Sequence, residues 1–188
     1  MESPDPRRQR SRAALLAAFF DQVLRLRYDQ ISIAGLIAQA GVARSTFYEH
    51  FDSKDSLLAE SLQFPLAPLA DLASEQPSLS RAEAALAHLW QNRQLAAGLL
   101  QGAVGRRVLR VLQQMIGERL SGRGPYRLPL ELVAVQLAGA MFASLDAWLR
   151  GGGPTARDLA VAMTASTAAA RVALLVAART SDDAHWRG

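Results

Sequence analysis

The stretch that decides the fold is Ser32-Ile-Ala-Gly-Leu-Ile-Ala-Gln-Ala-Gly41-Val-Ala-Arg-Ser-Thr-Phe-Tyr-Glu-His-Phe51. It reads as two short helices, about Ser32–Ala40 and Arg44–Phe51, joined at Gly41, where a residue free to take positive φ permits a tight turn. Neither helix is long enough to stand alone in water. Leu36, Ile37, Val42, Phe47 and Phe51 can close a small core against a preceding helix, about Gln9–Leu26, whose Leu15, Phe19, Val23 and Leu26 recur on one face. What then points outward from the second short helix is Arg44, Ser45, Thr46, Tyr48 and His50, a cluster of hydrogen-bonding groups. That is the layout of a helix-turn-helix, whose second helix enters a DNA major groove N-terminus first.

Outward from this segment the chain is helical throughout. Alanine, leucine, glutamine and arginine dominate, and alternating β-branched runs are absent. A longer helix is expected over about Lys54–Leu72, with Pro65 and Pro68 able to kink or split it. Ser74–Ser80 reads as a loop, and Ser80 with Glu83 has the spacing of a capping box for a helix reaching about Leu99. Further helices are expected over about Val104–Leu120, Leu130–Leu149 and Thr155–Ala178, separated by Ser121–Pro125 and Gly151–Pro154. The polar stretch from Thr180 reads as a frayed tail.

The 188 residues are half hydrophobic and carry a net charge of +4, enough apolar content for a core and too much for a disordered chain. With no cysteine, disulfides, thiolate metal sites and cysteine nucleophiles are excluded. The start is polar, unlike a signal peptide, and no apolar run of about 18 residues appears, so no membrane span and a cytoplasmic location are expected. All but one of the 21 basic residues are arginine, which can reflect coding bias as well as function. Residues 1–12 carry a net +2, and residues 104–128 a net +5 that reads as a solvated face.

Catalytic signatures are missing. His50, His88 and His185 are far apart, and no nucleophile elbow, phosphate loop or dinucleotide fingerprint occurs. No enzyme activity, metal or cofactor is expected.

The residues Ala40-Gly-Val-Ala-Arg-Ser-Thr-Phe-Tyr-Glu-His-Phe51 and Ser53-Lys-Asp-Ser-Leu-Leu58, within about Arg10–Leu58, resemble the DNA-binding domain of TetR-type (tetracycline-repressor-like) transcriptional regulators. Arg27 stands where that family often has glycine, and Ala34 and Gly35 leave the front of the first short helix less polar than is common. The resemblance implies an all-α fold, with a three-helix helix-turn-helix head and a C-terminal helical domain for effector binding and dimerisation. The divisions expected are 1–58 for the head (1–8 a flexible basic arm), 59–79 for a connecting helix and linker, 80–179 for the second domain and 180–188 for the tail. It implies DNA contacts for Ser32, Arg44, Ser45, Thr46, Tyr48, His50 and Lys54. Arg44, Ser45 and Thr46 would reach bases or nearby phosphates, and Tyr48, His50 and Lys54 would hold the backbone.

An effector pocket is implied in the second domain, for which His88, Trp90, Met115, Gln136, Met141, Phe142 and Asp146 are the candidates. For any one of these, a place in the core is the plainer alternative. The small-residue helix Asp158–Leu175, with Gly139 and Ala143 on the helix before it, suits a homodimer interface of four helices, although the same faces could pack within one chain. The expected function is a repressor released from palindromic double-stranded operator DNA by a small-molecule effector. The alternative is a DNA-associated interaction module without small-molecule control.

Overall fold

A computed structural model describes residues 5–23 and 25–176. The flanking residues 1–4 and the tail expected over 180–188 lie outside the described residues, as do residues 177 and 178.

The described residues form helices α1 (Pro6–Val23), α2 (Ile33–Ala40), α3 (Arg44–His50), α4 (Lys54–Ala70), α5 (Leu79–Gln91), α6 (Arg93–Leu99), α7 (Gly102–Leu120), α8 (Leu130–Gly151) and α9 (Ala156–Leu174). Single 3₁₀ turns at Tyr28–Gln30 and Asp71–Ala73 complete them. The all-α reading holds.

Two cores follow from the two groups of helices. Leu15 and Phe19 of α1, Leu36 of α2, Phe47 of α3 and Leu57 of α4 are fully buried in the head. The body buries Leu86, Leu112, Ile116, Leu137 and Ala138 among others, with α7 packed along α8 and α5 along α9. Helix α4 belongs to both, and Leu62 and Val104 pack against each core.

Several sequence expectations are corrected in detail. Asp5 accepts from the Arg7 N–H at 2.9 Å, so α1 begins at Pro6, and Arg7 and Arg8 are helical instead of part of a flexible arm. That helix ends at Val23, leaving Leu26 43% exposed, outside the apolar face assigned to it. Pro65 and Pro68 do not split α4, because Leu58, Leu66, Leu69 and Ala70 stay buried in one row across the missing N–H donors. The cap of α5 is Ser78, which accepts from Arg81 N–H at 3.4 Å, while Glu83 pairs with Arg157 at 3.4 Å.

The helix expected to reach Leu99 breaks at Asn92. Asn92 leaves the helical conformation at φ −110° and ψ 28°, and its side-chain amide joins its own N–H in donating to the His88 carbonyl, at 3.0 and 3.3 Å. At the other end, α9 stops at Leu174, and the chain turns outward to pair with the segment before α8. Arg127 N–H donates to Leu174 O at 2.8 Å, and Val176 N–H donates to Pro125 O at 3.0 Å. Helix α8 has 22 residues and an 18-residue window of mean hydropathy 1.6, long and apolar enough to cross a membrane by length and composition alone. One of its faces forms the body core through Val133, Leu137, Met141 and Leu145, which accounts for its apolar length.

Candidate nucleic-acid interface

The turn between α2 and α3 forms as its residues dictate. Gly41 takes φ +65°, and Val42 N–H donates to Ile37 O at 3.3 Å, closing α2. Ser32 caps the other end of α2, accepting from Gly35 N–H at 3.0 Å. Behind the turn, Gln39 donates to Asp21 at 2.7 Å and accepts from Gln22 at 2.9 Å, which holds α2 on α1. Phe47 is fully buried and meets Phe51 with ring centroids 5.9 Å apart, fixing the roll of α3.

That roll leaves Arg44, Ser45 and Tyr48 exposed and Thr46 half-buried at the surface. The Arg44 guanidinium lies 3.4 Å from the Tyr48 hydroxyl, which accepts from it, and 5.6 Å from the ring centre. The two side chains therefore form one cationic, hydrogen-bonding edge along α3. His50 is placed differently: its Nε2 lies 2.8 Å from Ser11 Oγ, so the imidazole ties the end of α3 to α1. Arg8 reinforces the same junction by donating to Glu49 O at 3.4 Å.

This junction sets the exposed Arg8 of α1 against the C-terminal end of α3, with Arg7 and Arg10 exposed in the same first turns of α1. That contact of Arg8 with α3 was not legible in the sequence. The only signal there was the net charge of the first residues, which says nothing about which surface they join.

Lys54 carries a structural task. Its Nζ donates to Tyr28 O and to Ile31 O, both at 2.7 Å, and lies 4.2 Å from the Tyr28 ring centre. An ammonium has three N–H donors, so one remains for a phosphate. Desolvation lowers the Lys54 pKa, with Arg107 adding to the fall and Asp55 opposing it. The neighbouring Asp55 joins head to body, as Arg107 of α7 meets it at 2.8 Å and the Tyr28 hydroxyl donates to it. Burial pushes the Tyr28 phenol up, and the hydrogen bond to Asp55 adds to the shift.

The candidate pocket residues scatter. Met115 and Met141 are core, Gln136 sits on the exposed face of α8, and Phe142 packs at the core edge. Trp90 stacks on Trp148 with ring centres 4.7 Å apart. Asp146 accepts from Gln101 at 3.0 Å and pairs with Arg150. His88 alone of that set lines a cavity of about 310 Å³ at the seam between head and body. The cavity's other walls are mostly leucine and valine, with Ser61 and Asn92 as its further polar side chains, and such leucines and valines are passed over by a search for polar and aromatic markers.

Comparison with known proteins agrees with this geometry. Residues 28–61 match the family described as bacterial regulatory proteins, tetR family. A search of curated proteins finds no match. Among solved structures, a TetR-family regulator from Streptomyces coelicolor A3 is similar at 17% identity and TM-score 0.60, over 91% of this chain and 99% of that one. A TetR transcriptional regulator from Streptococcus agalactiae is similar at 22% identity and TM-score 0.52, over 86% of this chain and 95% of that one. A second Streptomyces coelicolor tetR-family regulator is similar at 21% identity and TM-score 0.50, over 86% and 80% of the two chains. At these identities the likeness establishes the fold.

Proposed function

The chain is a member of the tetR family of bacterial regulatory proteins by its head, residues 28–61, and from that premise we propose that it is a homodimeric repressor released from a palindromic operator by a small molecule. The observation that carries the DNA-binding part is the exposed edge of α3, with Arg44, Ser45, Thr46 and Tyr48 at the surface and Arg44 joined to Tyr48. In this reading Arg44, Ser45 and Thr46 contact base edges or nearby phosphates. Tyr48, the third N–H of Lys54 and the N-terminus of α2 at Ser32 hold phosphates. His50 has its imidazole turned to Ser11, so it acts by setting the end of α3 and reaches a phosphate only at its margin. The chemistry assigned is binding and not catalysis.

Support for the dimer comes from α8 and α9. Leu132 and Val135 are 50% and 44% exposed on α8, and Val161 and Val172 are 47% and 62% exposed on α9. Along the same helices run the small exposed residues Ala140, Ala143, Ala165 and Ala169, an apolar face that the described residues leave uncovered. Two copies related by a two-fold axis would close it as a four-helix interface and present two α3 helices to successive major grooves.

A gel-shift against DNA flanking the protein's own gene, repeated with small molecules added, tests the reading. The expected result is a specific shift at a near-palindromic site that one class of compound abolishes. A specific shift that no compound changes favours an interaction module without ligand control, and absence of any specific shift rejects DNA regulation.

A further inference from the structure

The cavity of about 310 Å³ at the seam is walled by Phe19 and Val23 of α1, Leu58 and Leu62 of α4, Leu99 at the end of α6 and Val108 of α7, with Leu145 and Leu149 of α8 closing it. Among the described residues, no Asp, Glu, Lys or Arg lines it. Its hydrogen-bonding side chains are Ser61, His88 and Asn92. Ser61 is buried and donates to Leu58 O at 2.7 Å, so only its oxygen lone pair faces a guest. His88 and Asn92 are exposed and stand at the turn between α5 and α6, where the cavity opens to water.

From these walls we infer that the seam cavity binds an uncharged, largely apolar molecule with one polar group, seated against Phe19 and Val23 of the head. The inference rests on the reading of the protein as ligand-controlled and names the chemical class of the ligand. Charge is disfavoured by desolvation: an ionised carboxylate or ammonium among the inner walls has no partner and is costly to bury, and the rim offers only one imidazole and one amide, with no Lys, Arg, Asp or Glu to pair it. Size follows from volume. An apolar cavity of about 150 Å³ holds benzene, so this one suits about a dozen non-hydrogen atoms. Orientation follows from the placement of the polar groups, with the apolar body inward and the hydrogen-bonding group at the His88–Asn92 rim.

The location gives such a ligand direct hold on the head. Phe19 is fully buried in the head core and meets Tyr28 edge-on, with ring centres 6.4 Å apart. A guest touching Phe19 therefore presses on the helix that carries α2 and α3. A ligand bound deeper in the body would have no such contact.

The test uses the full chain and two probes built on the same ring, neutral 2-naphthol and anionic 2-naphthoate, with binding measured by calorimetry and DNA retention by gel-shift. 2-Naphthol is expected to bind, and 2-naphthoate to bind at least about tenfold more weakly. Ala96→Leu, which adds bulk at a buried wall residue, should weaken 2-naphthol by about tenfold while leaving DNA affinity of the unliganded protein unchanged. Leu95→Phe serves as the second filling variant. Equal binding of the two probes, no binding of 2-naphthol, or unchanged affinity in both filled variants overturns the inference. If 2-naphthol binds as stated but DNA is retained, the ligand class stands and control of DNA binding by this site fails. If only charged compounds release DNA, ligand control stands and the class assigned here fails.

Discussion

Asp55, at the start of α4, and Arg107, in the second turn of α7, meet across the seam at 2.8 Å. The pair is the charged counterpart of the apolar cavity beside it. The Arg107 guanidinium also lies 5.1 Å from the ring centre of Tyr28, whose hydroxyl donates to Asp55. One body residue thus touches two residues that set the base of the head.

The pair should couple the two parts without adding much stability. Asp55 is 49% exposed at its side chain, so solvent screens it, and Arg107→Ala should cost at most about 1 kcal/mol. A double-mutant cycle with Asp55→Asn should give a coupling of about 0.5–1 kcal/mol by denaturant unfolding. Strict additivity would show the contact to be incidental.

Acid should weaken the same junction. Burial disfavours the Asp55 carboxylate, but hydrogen bonds from Arg107 and Tyr28 outweigh it and hold its pKa below the ordinary value. A depressed folded pKa contributes stability that is complete above the ordinary carboxylate value of about 3.9 and is lost as pH falls through the folded value. Asp55→Asn should remove that part of the acid dependence, measured as unfolding free energy against pH between about 5 and 2.

Lys54→Ala should act twice. It removes the ammonium from Ile31 O and leaves Tyr28 O only the Ile31 N–H at 3.3 Å, and should lower stability by about 1–3 kcal/mol. If its third N–H holds a phosphate, the slope of log affinity against log salt should also fall by about one, equally for all sequences. A stability loss with an unchanged slope would make Lys54 purely structural.

Thr46→Ala and substitutions of Arg44 should change preference among operator variants, whereas Tyr48→Phe should first weaken binding to all of them. Arg44 has a second consequence to check. Its guanidinium donates to the Tyr48 hydroxyl at 3.4 Å, so Tyr48→Phe also frees it, and a selection of bound sequences will reveal any relaxed preference.

Gly105→Ala should be among the most damaging small changes in the chain. A Cβ at Gly105 would stand 2.0 Å from Leu100 O, where the turn between α6 and α7 folds back on the helix. Relieving that overlap requires backbone movement, at a cost of about 1–3 kcal/mol or more. Thermal unfolding should show it, and a value near wild type would mean the turn relaxes freely.

Ala169→Glu or Ala173→Glu, both at exposed positions of α9, should abolish dimers and operator binding together while leaving the head folded. Sedimentation and gel-shift on the same samples decide this. A monomer that binds its operator tightly would refute the four-helix interface.

What the sequence determined by itself was local or periodic. Gly41 between two short apolar-faced segments specified the turn, Leu15, Phe19 and Val23 specified the buried side of α1, and Phe47 specified which side of α3 faces out. Each rests on helical spacing or on backbone freedom, which a chain carries without knowing its neighbours. Tertiary structure alone decided what lies between segments distant in sequence. Lys54 meets carbonyls more than twenty residues away, His50 meets Ser11, and Asp55 meets Arg107, none of which any spacing rule connects. The cavity was hidden for the same reason. Its leucines, valines and phenylalanines have the pattern of ordinary core, and only the angle at which head and body meet leaves space between them.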